Sequence, residues 1–233
     1  MEESLARKLV ELNTDFYARF AAPFAASRSA PQPGFARLLE YFPQKPLSVL
    51  DVGCGNGRFG RFLHAADLLL SYVGVDVSPE LLAEIDDLNG DLFVRDISLP
   101  GSLDGLGEFD IVACLATLQH IPGQSNRLRL LQEMATKLKP SGYLVLSNWQ
   151  FLTNPRQHRK IQPWSSLEVE QSQVEPNDYL LTWERGGKGV RYVAHLDIDM
   201  TTNMAETAGL RIVTQFVSDG REGDLNLYTI LAG

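Results

Sequence analysis

The stretch Ser48–Gly60, SVLDVGCGNGRFG, decides the fold. An apolar run carrying Asp51 gives way to glycines at 53, 55, 57 and 60, the pattern of a buried strand turning sharply into a helix. A turn without Cβ atoms lets the backbone approach a bound molecule closely. The helix that follows offers its free N–H groups to a negative group. Two nucleotide-binding loops fit these residues. Gly55-x-Gly57-x-x-Gly60, with Asp76 about 20 residues further on, has the spacing of a dinucleotide fingerprint. Asp51-x-Gly53-x-Gly55-x-Gly57 is a tighter triplet with an acid two residues ahead of it.

Working outward, the pattern around this loop alternates between strand and helix. LSVLDV, SYVGVD, DLFVRD, FDIVACL and YLVLSNW read as strands. RFGRFLHAAD, PELLAEIDDL and RLRLLQEMATKLKP read as the helices between them, with Ser78 as N-cap and Pro79 in the first turn of the second. Strands separated by helices imply parallel order and right-handed crossovers. Upstream, Leu5, Leu9, Leu12, Phe16 and Phe20 recur at helical spacing, so residues 3–26 form an amphipathic helix, and GFARLLEYF a shorter one. Downstream, residues 150–177 are polar and aperiodic, and DYLLTWERGGKGVRYVAHLD reads as a hairpin around Gly186 and Gly187. A helix ending at Gly209 and two strands, RIVTQFVSD and DLNLYTIL, close the chain.

The expected fold is α/β: a Rossmann-like doubly wound sheet, mostly parallel with an antiparallel C-terminal edge strand, plus N-terminal helices and an inserted β-hairpin. We expect one domain over 1–233: a helical cap (1–46), a nucleotide-binding core (47–149), a substrate-side insertion (150–198) and a C-terminal helix with a strand pair (199–233). The 44% hydrophobic and 21% charged content is ordinary for a globular chain. The charged N-terminus lacks the apolar core of a secretory signal, and no run nears the roughly 18 apolar residues of a membrane span. Cys54 and Cys114, without CxxC spacing, fit neither a disulfide scaffold nor a metal knuckle, and imply a reducing cytoplasm. The net charge of −8 opposes nucleic-acid binding by the chain as a whole.

Two further features favour the tighter triplet over a dinucleotide. Asp96 closes the third strand, where an adenine amino group needs an acceptor. The C-terminal helix and strand pair stand where a second nucleotide-binding half would be. With these residues in order, the chain resembles the class I S-adenosylmethionine-dependent methyltransferases over residues 47–231. The resemblance implies S-adenosylmethionine as cofactor and S-adenosylhomocysteine as product. It implies a binding set of Asp51, Gly53, Cys54, Gly55, Asn56 and Gly57 around the methionine part. Asp76 and Val77 would meet the ribose, Asp96 and Ile97 the adenine, and Leu115 would lie beneath the ligand. Phe16, Tyr17, Phe24 and Arg28 are candidates to close over the cofactor, with Arg28 on its carboxylate, a charge-assisted contact worth about 1.5–3 kcal/mol.

Methyl transfer is an in-line displacement, so the protein must align nucleophile and methyl and exclude water. A base is required only for a nucleophile that carries a proton. His120, directly after the fourth strand, and Arg191, on the hairpin, are the candidate catalytic residues. Three segments, LNTDFYARFAAPFAASRSAPQPG, LQHIP and RYVAHL, look similar to the tRNA wobble-uridine carboxymethyl methyltransferases. That branch converts a carboxymethyl group on uridine-34 to its methyl ester. It implies roles for His120 and for the arginine of Arg191-Tyr-Val-Ala-His195, with tRNA as partner and, in eukaryotic members, a small zinc-binding activator protein. A carboxylate is ionised near pH 7 and needs a cation to orient it, which suits an arginine. The chain departs from the branch at Gln119-His120, where paired histidines are usual. Arg156, Arg159 and Lys160 form a local basic run suited to phosphates. Two other functions stay open: a small-molecule O- or N-methyltransferase using His120 as base, and a non-catalytic cofactor-binding scaffold subunit.

Overall fold

The computed structural model describes residues 1–26, 30–184 and 186–233. Helices α1 (Glu3–Ala26) and α2 (Pro33–Leu38) precede β1 (Leu47–Val52), α3 (Arg58–Ala65), β2 (Leu69–Asp76), α4 (Pro79–Leu82), β3 (Gly90–Val94) and β4 (Phe109–Leu115). Helix α5 (Gln124–Ala135) and β5 (Leu138–Trp149) lead into α6 (Pro155–His158), β6 (Ile161–Gln162), β7 (Asp178–Trp183) and β8 (Gly189–Ala194). Helix α7 (Ile198–Thr207), β9 (Arg211–Ser218) and β10 (Asn226–Ala232) finish the chain.

Seven strands form one sheet in the order β3-β2-β1-β4-β5-β10-β9. Strand β10 runs antiparallel to both β5 and β9, so the reversed strand is second from the edge and β9 is outermost. Alternate side chains of the buried strands feed two cores. Leu50, Val52, Val112, Cys114, Leu144 and Leu146 meet Leu130, Leu131 and Met134 of α5 on one face. Val49, Ile111, Ala113 and Val145 meet Phe35, Leu38, Phe59 and Leu63 of α2 and α3 on the other. This is the doubly wound, helix-covered sheet expected from the sequence.

Several elements depart in extent. Helix α4 ends at Leu82, well short of the ten-residue helix read from PELLAEIDDL. Acids at 84, 86 and 87 oppose the negative end of a helix there. Arg61 instead captures the Glu84 carbonyl at 2.6 Å and both oxygens of Asp87 at 2.7 Å. The inserted hairpin gains a third strand, because Ile161 and Gln162 pair with Leu181 and Leu180 of β7. Helix α1 bends at Phe20, three residues ahead of Pro23, whose ring clashes with the turn before it. Among the described residues, no helix is long and apolar enough to cross a membrane.

Candidate active site

Strand order reverses between β1 and β4, and a crevice opens there at the carboxyl ends of the parallel strands, as open α/β sheets require. The loops after β1, β2, β3 and β4 converge on it and α1 roofs it. The resulting cleft encloses about 1030 Å³, its open mouth included. Of the twelve residues assigned to the cofactor from sequence, Asp51, Gly53, Cys54, Gly55, Asn56, Asp76, Val77, Asp96, Ile97 and Leu115 line it. Gly57 does not line the cleft; at φ 74° it turns the chain into α3 as the N-cap. Arg28 lies outside the described residues.

The glycine loop is fastened from beneath. The Gly53 and Cys54 N–H groups donate to the Val75 carbonyl at 2.7 and 3.1 Å. Gly53 has φ 72°, and a Cβ there would stand 2.2 Å from the Thr117 methyl, whose hydroxyl donates to the Gly53 carbonyl at 3.1 Å. At Gly55, φ is 55° and a Cβ would meet nothing within 4 Å. That empty space belongs to the cleft, so this turn is a cradle that a side chain would fill. The residues therefore fit a nucleotide cofactor.

The acids differ in what they already hold. Asp76 accepts from Gly55 N–H at 2.8 Å through Oδ2 and from Ser78 N–H at 2.9 Å through Oδ1. It clasps the two loops together at the wall of the cleft. Burial pushes its carboxyl above the usual range, against the pull of these N–H groups. Asp96 takes Ser98 N–H at 2.9 Å and Ser98 hydroxyl at 2.6 Å on Oδ1, and Oδ2 has no donor among the described residues. Asp51 accepts the Tyr72 hydroxyl at 2.9 Å on Oδ2. Burial, opposed by that hydroxyl and reinforced by nearby Asp76, pushes Asp51 up to about 7.

His120 and Arg191 meet through a residue read from sequence only as a cover. His120 Nδ1 donates to the Tyr192 carbonyl at 3.0 Å, which leaves Nε2 to accept the Tyr17 hydroxyl at 3.0 Å. Arg191 Nη1 donates to the same Tyr17 oxygen at 3.4 Å. Arg191 is 5% exposed, so it is not the solvated face residue a hairpin arginine usually is. Its guanidinium lies 4.3 Å from the Trp149 ring centre, 5.1 Å from Phe16 and 5.4 Å from Trp183. No carboxylate pairs with it among the described residues, and burial lowers its pKa.

A buried scaffold holds this trio. Asn13, not singled out in the sequence, bonds both main-chain groups of Tyr192, at 2.8 and 3.1 Å, and the His120 carbonyl at 3.3 Å. The Tyr192 hydroxyl donates to Asp178 at 2.6 Å and accepts from fully buried Arg127 at 3.0 Å. Gln119, where paired histidines are usual, accepts the Trp149 N–H at 2.6 Å and so props the ring that Arg191 stacks on. His195 is buried edge-on to Phe151, lining neither cleft, and burial lowers its pKa.

Arg191 opens not into the cofactor cleft but into a second one beside it. Arg58, Arg156, Arg159, Lys160 and Arg221 line this second cleft with it, against two carboxylates, Glu184 and Glu222. Among the described residues, six of the 21 lysines and arginines of a chain with net charge −8 thus line this second cleft.

Residues 17–185 match a protein-family model described as a methyltransferase domain. The chain belongs to that methyltransferase family. Among curated relatives it is 28% identical over 135 residues to the tRNA (carboxymethyluridine(34)-5-O)-methyltransferase of Arabidopsis thaliana, covering 57% of this chain and 31% of that protein. It is 32% identical over 119 residues to a ubiquinone biosynthesis O-methyltransferase of Coxiella burnetii, covering 47% of this chain and 48% of that one. The match thus spans under a third of the Arabidopsis protein and about half of the Coxiella protein. Among solved structures, a SAM-dependent methyltransferase of Methanosarcina mazei superposes with a TM-score of 0.64 at 19% identity, over 83% of this chain and 95% of that one. Magnesium protoporphyrin IX methyltransferase of Synechocystis, solved with bound SAH, superposes with a TM-score of 0.57 at 17% identity, over 85% and 78%. These two likenesses establish the shared fold.

Proposed function

We propose that this methyltransferase uses S-adenosylmethionine to esterify a carboxylate, and that the carboxylate is a carboxymethyl group on the wobble uridine of tRNA. The cofactor supplies an activated methyl on a sulfonium and leaves as neutral S-adenosylhomocysteine. Asp76 and Asp96 would accept hydrogen bonds from its ribose and adenine, and the Gly53–Asn56 turn would hold its methionine part. The observation that carries the acceptor is Arg191: a desolvated guanidinium among aromatic rings, with no carboxylate paired to it among the described residues. An anionic acceptor completes it, and a carboxylate matches its planar fork in two parallel bonds. Such a nucleophile brings no proton, so His120 orients and shields rather than deprotonates. The carboxymethyluridine methyltransferase among the relatives and the cations of the second cleft support a nucleic-acid acceptor, since the local field there opposes the overall charge.

A second reading is favoured by the His120 tautomer. With Nδ1–H committed to a carbonyl, Nε2 is the basic nitrogen, and it accepts the Tyr17 hydroxyl. A small hydroxyl or amine acceptor would take the place of Tyr17 there, in keeping with the O-methyltransferase relatives.

One experiment separates them. The protein is incubated with methyl-labelled cofactor, bulk tRNA and a small-metabolite fraction, and the label is located by mass spectrometry. Base-labile label on a carboxymethylated nucleoside is the expected result. Label confined to small metabolites overturns the tRNA acceptor.

A further inference from the structure

Tyr17 stands at the partition between the two clefts. It lines the cofactor cleft together with His120, whereas Arg191, Trp149 and Trp183 line the second. Its half-buried ring meets Phe16, Phe24 and His120 edge to face, at centre distances of 5.2, 5.0 and 5.7 Å. Its hydroxyl donates to His120 Nε2 at 3.0 Å and accepts from Arg191 Nη1 at 3.4 Å. One neutral oxygen therefore sits between the cation of the second cleft and the histidine of the first. An acceptor bound in the second cleft has to bring its own oxygen across this partition to meet a methyl held in the first.

For Arg191 the contact is a poor one. Among the described residues, the Tyr17 hydroxyl is the one hydrogen-bond partner of its guanidinium, and Nε is buried without any. The 3.4 Å separation is long beside the about 2.7–2.9 Å of bonds between a guanidinium and an anion. A hydroxyl offers one uncharged oxygen, and a carboxylate offers two that share a full charge and match the guanidinium fork.

We propose that Tyr17 is a specificity-determining place-holder: its hydroxyl fills the acceptor-oxygen position between Arg191 and His120, and a carboxylate displaces it. This rests on the carboxylate-acceptor reading. Water and chloride lack the pair of oxygens that bonds Arg191 in parallel, and so they leave the hydroxyl in place. The fraction of molecules with the hydroxyl withdrawn then limits the apparent affinity for the acceptor.

The test is steady-state kinetics of wild type and Tyr17→Phe on tRNA carrying carboxymethyluridine at the wobble position, with S-adenosylhomocysteine titrated alongside. Tyr17→Phe is expected to lower KM for the tRNA by about three-fold or more, with kcat and S-adenosylhomocysteine affinity within about two-fold. A KM that is unchanged or raised, or a larger fall in kcat, would mean that the hydroxyl holds the acceptor or His120 in place, and overturns the proposal. If the variant does not fold, fluorotyrosine is introduced at residue 17 of the otherwise unaltered chain. Its fluorine resonance is expected to move when the tRNA is added to the S-adenosylhomocysteine complex, and a static resonance overturns the proposal. Wild-type protein that leaves this tRNA unmethylated would sink the tRNA acceptor instead. The labelled protein is then titrated with sodium acetate and with sodium chloride. A saturable shift with acetate alone supports displacement by a carboxylate; no shift, or the same shift with both salts, overturns it.

Discussion

Gly53 and Gly55 sit two residues apart with similar positive φ, 72° and 55°, yet alanine should act on them in opposite ways. Either substitution forces an L-residue into the left-handed region, at about 1–2 kcal/mol. At Gly53 the new methyl would also drive into Thr117, with contacts of 2.2, 2.4 and 2.8 Å to its side chain. Overpacking of that kind adds about 1–3 kcal/mol, for a total of about 2–5 kcal/mol. In a domain of this size each kcal/mol lowers the melting temperature by about 2–4 °C. Gly53→Ala should therefore melt well below Gly55→Ala, whose methyl has free space in the empty protein. In binding the order reverses in kind. A methyl at Gly55 would fill the empty cradle of the cleft, so Gly55→Ala should lose at least ten-fold in S-adenosylhomocysteine affinity, about 1.4 kcal/mol, with modest loss of stability. Calorimetric scans and titrations measure the two quantities separately. Wild-type affinity in Gly55→Ala would refute the cradle. A Gly53→Ala protein as stable as Gly55→Ala would refute the packing argument.

Further outcomes follow from other residues. Arg191→Ala should cut kcat/KM for the acceptor by about 10²-fold or more while leaving S-adenosylhomocysteine affinity within two-fold, because Arg191 does not line the cofactor cleft. Arg191→Lys should not rescue it, since an ammonium cannot stack on Trp149. Asp219→Ala should cost about 3 kcal/mol by denaturant titration, because it orphans Gly34 N–H and the Asn226 amide, now bound at 2.7 and 2.6 Å, and leaves the Tyr228 hydroxyl only its longer contact to Gln32 at 3.4 Å. Asp51, raised by burial to about 7 from an unfolded value near 3.9, holds its proton more tightly when folded. Its contribution is therefore greatest at acid pH and is lost as pH rises toward 7. Melting curves of wild type against Asp51→Asn should diverge over pH 4–7 in that sense, and parallel curves would refute the raised carboxyl.

The parts of the fold that depend on local pattern were legible. The strand runs, the Ser78 cap and the glycine turn each draw on neighbours within a few residues, and the cofactor crevice follows from parallel order. Helix α4 was misjudged in length because its termination comes from Arg61, more than twenty residues back in the chain. The site's acceptor side was legible only as separate residues. Arg191 is a candidate from its RY-x-x-H segment, but its burial shows only once β5, β7 and α1 bring Trp149, Trp183 and Phe16 around it. Asn13 carried no signal in an amphipathic helix, since its partners are 107 and 179 residues away. The second cleft was legible only in part: Arg156, Arg159, Lys160 and Arg191 stood out as separate candidates, while Arg58 and Arg221, far from them in sequence, did not.

The measurement that bears most directly on the central claim is a calorimetric titration of the wild-type protein with S-adenosylhomocysteine, repeated in the presence of excess NAD. The account predicts saturable heat from one site per chain, unchanged by NAD and lost in Asp76→Ala. No heat with S-adenosylhomocysteine, or its displacement by NAD, would contradict it.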